Sequence, residues 1–345
     1  MIRTLLPLSV RARSVQLLSV ALISAAPLFA ACSKDAPTDE TTPVEVETSA
    51  GAVQLPPEAY LARSTWGRLD VDLVKVRSSP YYPNLRELLG GAPMETDEQR
   101  NVLAEVLERL DSITFALGEI EESSELTGVL LRGSFTIDEL RRWMQGLDHG
   151  QMAPTPFELD GRVGLTMRDA SVLPIDANTW ILAPTRVLRE SFASPAVPSS
   201  FGDPTYLEAK ARPSIVDAAV RLTVLGTPGA RRLAARESPI GEEAAAHLRA
   251  ATLAVAVDDG LRLEGFALLD DPTAAQVLVA EATRQRDELA QQAPVAMFGL
   301  APLVNSVELT QANADAVVRL TVSDNMVRRL IGMFGGLMAL QGGGQ

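Results

Sequence analysis

Thr252-Leu253-Ala254-Val255-Ala256-Val257-Asp258-Asp259-Gly260-Leu261-Arg262-Leu263-Glu264-Gly265-Phe266-Ala267-Leu268-Leu269 is two apolar-rich runs around an Asp-Gly pair. That pair suits a tight turn with positive φ, so the stretch predicts an antiparallel hairpin of strands Thr252 to Val257 and Leu261 to Leu269. Upstream, Leu126-Thr127-Gly128-Val129-Leu130-Leu131 can be laid over Leu263-Glu264-Gly265-Phe266-Ala267-Leu268, and each is followed within a few residues by a helical pattern. The reading of the rest of the chain extends outward from this match.

Before the match, Leu69 to Val76 alternates with period two, placing Leu69, Val71 and Leu73 on one face and acids on the other. Ser79 to Pro83 turns the chain and a short helix runs to Leu89, ending at Gly90-Gly91. Val102, Leu103, Val106, Leu107 and Leu110 fall at helical spacing between Asp97 and Leu110. Strands Ile113 to Leu117 and Leu126 to Arg132 flank an acidic loop of Glu119, Glu121, Glu122 and Glu125. Thr136 and Glu139 form a capping box for a helix from Ile137 to Gln145. A Pro-rich passage leads to strands Arg162 to Arg168 and Thr179 to Ala183, and Pro184 opens a helix through Ala193.

Ser194 to Pro213 holds four prolines and marks the boundary between halves. The order then recurs: strand Ala218 to Leu225, helices Pro228 to Ala235 and Ile240 to Leu248, the hairpin, a long helix from Pro272 to Gln292, strands Val304 to Thr310 and Ala316 to Val322, and a last helix capped by Ser323. The expectation is an α+β protein, a tandem duplication of an antiparallel-sheet unit with helices on one face. Chance agreement between two generic α+β halves is the alternative. The expected organisation is a signal peptide over 1–31, a lipidated Cys32 and acidic tether over 32–57, a first repeat over 58–198, a linker over 199–213 and a second repeat over 214–345.

The N-terminus carries Arg3, Arg11 and Arg13 and no acid, followed by a mostly apolar run from Val15 to Ala31 that ends in small residues. That is the order of a secretory signal, and the run is short against the roughly 20 apolar residues of a membrane span. It closes on Leu28-Phe29-Ala30-Ala31-Cys32, with the only cysteine of the chain. In this it resembles the bacterial lipoprotein precursors, whose small-residue box precedes a cysteine that is acylated and becomes the new N-terminus. The resemblance implies a lipid anchor at Cys32, and Ser33 in place of Asp after it implies the outer membrane. Phe29 stands where that family usually has Leu. A plain secreted protein with a free thiol is the other reading. The element order also loosely resembles duplicated extracytoplasmic bacterial proteins of unknown function.

The full chain carries net charge −13, and loss of the three signal arginines leaves it more acidic still. Nucleic acid and peripheral attraction to anionic lipid both need clustered Lys and Arg, so neither is expected as a partner. No disulfide is available within the mature chain, and stability falls to a core that is 46% apolar overall but only 5% aromatic. Ser33 to Pro57, with its prolines and like charges, predicts an extended tether. Val44-Glu45-Val46-Glu47 alternates and is the one candidate strand within it.

Neither Gly-x-Ser-x-Gly nor His-Glu-x-x-His occurs, and His149 and His247 belong to no shared motif, so a non-enzymatic protein without cofactor is expected. The acidic cluster Glu119 to Glu125 and the pairs Asp258-Asp259 and Asp270-Asp271 lack calcium-loop spacing and read as solvated turns. The C-terminal helix crowds Met326, Leu330, Met333, Phe334 and Leu337 with Gly332 and Gly336, an arrangement that suits either partner docking or cover for the second sheet. Two functions follow as expectations. One is an envelope lipoprotein with a binding or structural role, anchored in the outer membrane and facing the periplasm. The other is a periplasmic carrier of an apolar small molecule or lipid.

Overall fold

The computed structural model describes residues 55–90, 97–120, 123–147, 152–237 and 241–342. The chain enters through a 3₁₀ turn, Pro57–Tyr60, and reaches β1 (Gly67–Asp72). Alternation predicts a strand to Val76, yet Asp72 ends it: its carboxylate accepts from the Lys75 N–H at 3.0 Å and starts α1 (Leu73–Ser78). A cap satisfies one of the orphan donors of a helix, and four more residues of alternation do not outweigh it. After α2 (Tyr82–Gly90) and α3 (Asp97–Arg109) comes the hairpin of β2 (Leu110–Ile120) and β3 (Ser123–Gly133). Glu119 and Glu125 therefore lie in strands, opposite Ser124 and Gly118, and not in a loop. Glu121 and Glu122 fall outside the described residues.

The predicted capping box starts α4 (Ile137–Leu147): the Glu139 N–H donates to Thr136 Oγ1 at 3.2 Å, and the Thr136 N–H donates to Glu139 Oε2 at 2.7 Å. Four strands follow where two were expected, namely β4 (Thr155–Leu159), β5 (Arg162–Met167), β6 (Ala170–Asp176) and β7 (Thr179–Pro184), then α5 (Thr185–Ala193). Pro156 and Pro174 hid β4 and β6, because proline in a short run argues against a strand. Pro174 adjoins an irregularity in the β6–β7 register, where such a residue is tolerated. The expected linker over 199–213 contains a 3₁₀ turn, Ser199–Gly202, and α6 (Pro204–Ala211), which Asp203 caps by accepting from the Thr205 N–H at 2.8 Å.

The remaining elements are β8 (Val220–Leu225), α7 (Pro228–Glu237), α8 (Gly241–Ala246), β9 (Leu248–Val257), β10 (Gly260–Leu269), α9 (Pro272–Gln291), α10 (Ala293–Met297), α11 (Ala301–Asn305), β11 (Glu308–Ala312), β12 (Asp315–Ser323) and α12 (Asp324–Gly342). The strand expected from Val304 thus begins only at Glu308.

All twelve strands join one antiparallel sheet in the order β11-β12-β10-β9-β8-β1-β2-β3-β7-β6-β5-β4. Read outward from the β1–β8 pair, one side runs β1-β2-β3-β7-β6 and the other β8-β9-β10-β12-β11, with β5 and β4 extending the first. Leu69 faces Leu222 near the middle of that pair. Positions that correspond by register carry like residues: Thr114 donates to Asp70 across β1–β2 at 2.7 Å, while Thr252 and Thr223 lie 3.5 Å apart across β8–β9. Ala116 and Ala254 are both fully buried. The match of Leu126–Leu131 with Leu263–Leu268 slips by one residue, because Thr127 is an extra residue in β3: Leu117 pairs with Leu126 and Ala116 with Gly128. The Thr127 hydroxyl donates to the Ala116 carbonyl at 3.1 Å.

Helices cover both faces of this sheet, not one as expected. Val71, Leu110, Leu165 and Trp180 on one face pack with Val102 of α3 and with Leu140, Trp143 and Met144 of α4. The other face presents Ala116, Leu130, Ile181 and Ala183 to Tyr60, Leu61 and the Val187, Leu188 and Phe192 side chains of α5. In the second half α9 sits on the α4 face, through Ala274, Ala275, Leu278 and Ala316. Ala209 of α6 covers the α5 face at Ala250 and Leu268. The segment between halves is pinned there: Arg68 makes hydrogen bonds to Asp70 at 2.6–2.9 Å and to Glu58 at 3.1 Å and lies 6.0 Å from the Phe201 ring. Burial would lower the Arg68 pKa, but the Asp70 hydrogen bond and charge outweigh it and hold the guanidinium above its ordinary value.

Candidate functional site

A cleft of about 580 Å³ opens where the loop after the first 3₁₀ turn meets α5 and the far end of β2. Its apolar floor is Leu61, Ala62 and Val187, all buried. The sequence places them there simply: Leu61 and Ala62 follow a turn whose Tyr60 ring stacks 4.6 Å from Phe192, and Val187 is on the sheet-facing stripe of α5. The rim is polar and of both signs, with Arg63, Arg186, Glu119 and Glu190 and the hydroxyls of Ser64, Ser191 and Ser194.

The rim groups hold one another. Arg63 donates from Nη2 to the Ser194 carbonyl at 3.1 Å and to its hydroxyl at 2.6 Å, closing the loop onto the C-terminus of α5. Ser64 donates to the Glu119 carbonyl at 2.8 Å. Glu119 in turn accepts from Arg232 of α7 at 2.6 Å. Such a site sets guanidinium and carboxylate groups side by side around an apolar floor, which suits a ligand that carries a polar or zwitterionic group. Among the described residues no histidine lines it. Sequence reasoning missed this site because its residues come from positions 61–64, 119 and 186–194, with no local pattern to join them.

The C-terminal helix lies elsewhere. Met326 and Leu330 are half-buried with Ile331 against Tyr81, Val322 and Val327, and Leu85, Leu303 and the strand residues Val257, Leu261 and Leu320 belong to the same cluster. The helix thus covers part of the second half, but on the α4 face, whereas α5 covers the opposite face of the first. Its start is fastened by the Tyr81 hydroxyl, which donates to Asp324 at 2.9 Å, and by Arg328, whose Nε donates to both Asp324 oxygens at 3.0 Å. The Arg328 bond first, then the Tyr81 hydroxyl, holds the Asp324 carboxyl below the usual range. Met333 is half-buried and Gly332 faces open space, so within the described residues no helix packs closely on that glycine. The side chains of Phe334 and Leu337, the surroundings of Gly336, and Cys32 with the tether as far as residue 54 lie outside the described residues.

The other candidates resolve into local contacts. Asp258 accepts from Arg262, and Asp271 caps α9 by accepting from the Thr273 N–H at 2.9 Å. Asp270 lies 2.6 Å from His247 Nδ1 at the surface. His149 is outside the described residues. Among the described residues no group of His, Cys, Asp and Glu could hold a metal, and no helix is long and apolar enough to cross a membrane.

No family model and no curated protein matches the chain. Among solved structures it is similar to crystal forms I, III and IV of TP0453, at 9–10% identity and TM-scores of 0.43–0.45, with 81–82% of this chain and 96–98% of that one covered.

Proposed function

We propose that this is a non-enzymatic, lipid-anchored protein of the bacterial cell envelope, tethered through Cys32 and engaging a polar partner with its folded body. The observation that carries the reading is the position of the only cysteine, directly after an arginine-led apolar run and the small residues Ala30-Ala31. Each buried methylene of an acyl chain contributes about 0.8 kcal/mol, so several chains on one residue hold the body at a membrane. Ser33 after Cys32 favours the outer membrane, with the body in the periplasm.

The body reads as a duplicated unit, and three observations support this: the mirrored strand order about β1–β8, the Thr114–Asp70 and Thr252–Thr223 contacts at corresponding places, and the fully buried Ala116 and Ala254. The mixed charges of the Arg63–Arg186 cleft favour a polar partner over the apolar cargo of a carrier.

Replacing Cys32 by Ser tests the anchor. The variant is expected to leave the membrane fraction and lose incorporation of a labelled fatty acid while its circular dichroism stays that of the parent. A variant still in the membrane pellet would end the lipid-anchor reading.

A further inference from the structure

The two edges of the sheet are built differently. At one edge, β4 turns into β5 through Asp160 (φ 55°) and Gly161 (φ 68°), with Leu159 paired to Arg162. The residues flanking a two-residue hairpin turn exchange both backbone hydrogen bonds. Leu159, Phe157 and Thr155 therefore bond inward, and Pro156 and Glu158 direct their backbone groups out. Proline has no N–H to offer there, which is a standard way to blunt an edge.

At the other edge, β11 turns into β12 through Asn313 (φ 57°) and Ala314, with Ala312 paired to Asp315. By the same alternation Ala312, Thr310 and Glu308 bond inward, while Leu309 and Gln311 direct both N–H and C=O outward. No proline interrupts this strand, and Glu308, Thr310, Gln311 and Ala312 are exposed.

We propose that β11 pairs with β11 of a second copy of this chain, antiparallel about a two-fold axis through Thr310. In that register Leu309 of each copy faces Gln311 of the other and exchanges both backbone bonds, giving about four across the axis. Glu308 meets Ala312 of the second copy, so no like charges oppose one another, and the two Thr310 side chains meet at the axis. The strand is thus complementary to itself, which an isologous contact requires. The chain already joins two of its own strands in this way at its midline, where Leu69 faces Leu222 across β1–β8. A five-residue edge buries little area, so the pairing is weak and concentration-dependent.

Sedimentation equilibrium of the full chain in detergent, over a wide concentration range, reads the result. The parent is expected to dimerise reversibly. Gln311→Pro removes an outward N–H from each copy, reproducing at β11 what Pro156 does at β4, and should weaken the dimer about tenfold or more. Gln311→Ala, which keeps that N–H, should leave it unchanged. Thr310→Lys, a surface change that spares the backbone, should abolish it by placing two like charges at the axis. A parent that stays monomeric at ~1 mM would overturn the proposal. So would a dimer indifferent to Thr310→Lys, or a parent monomer whose β11 instead captures a synthetic extended peptide.

Discussion

Counted outward from the β1–β8 pair, the first five strands on each side have the same order and fill it with different material. On the first side three rings, Phe135, Trp143 and Trp180, lie at centroid distances of 5.3 and 5.7 Å along the α4 face. On the second, the part of that face beneath α9 is packed by Ala244, Ala274, Ala275 and Ala316 around Leu269 and Leu278. Large rings fill the space between helix and sheet from few positions, whereas alanines fill it only if the backbones approach more closely. The shared order is therefore set by strand pairing and turns, and side-chain volume then fixes how near each helix sits.

The sharpest way to break this contrast is to remove one large side chain from each core. Trp143→Ala, at a residue only 2% exposed, should cost ~3–5 kcal/mol, whereas Leu278→Ala on α9 should fall at the low end of ~2–5 kcal/mol. Denaturant unfolding measures both. Equal losses would mean that the second core depends on its few large residues as heavily as the first depends on its rings.

Adding volume sharpens the same contrast from the other side. Ala275 is fully buried on α9, and Ala275→Leu should destabilise by ~1–3 kcal/mol through overpacking. A neutral effect in thermal unfolding would show slack between α9 and the sheet, and close approach would no longer explain the alanines.

The smallest expected effect concerns how comparable helices begin. α4 starts from a reciprocal box and α9 from a single aspartate cap, so Thr136→Ala should cost ~1 kcal/mol. The Thr136 N–H, more than any other group, holds the Glu139 carboxyl below the usual range. A depressed carboxylate stabilises the fold above its unfolded pKa, about 4.3, and that contribution is lost as pH falls through the folded value. Glu139→Gln should therefore flatten the acid limb of the stability curve. An unchanged limb would remove Glu139 from that account.

The sequence announced what lies within a few residues. The Thr136–Glu139 box, the hairpin about Asp258-Asp259-Gly260 and helices opening near Pro184, Pro228 and Pro272 were all legible. Two kinds of signal misled. Prolines concealed β4 and β6, and alternation carried β1 past the Asp72 cap that ends it. α6 had a readable start in Asp203-Pro204, which the prolines around it obscured. That helices cover the α5 face as well as the α4 face was not legible, since which side of a sheet a helix takes depends on connections and not on its own pattern. The cleft was hidden for a related reason: Arg63 and Ser194 are adjacent only because α5 returns over the turn that starts the fold.

The place of β1 has a mechanical consequence. It is the first strand after residue 55, yet it lies mid-sheet, with β2 and β8 antiparallel on its two sides. A pull delivered from the N-terminal end would load two hydrogen-bond ladders at once in shear, and not peel an edge strand bond by bond. A chain held by that end would resist traction with its strongest axis.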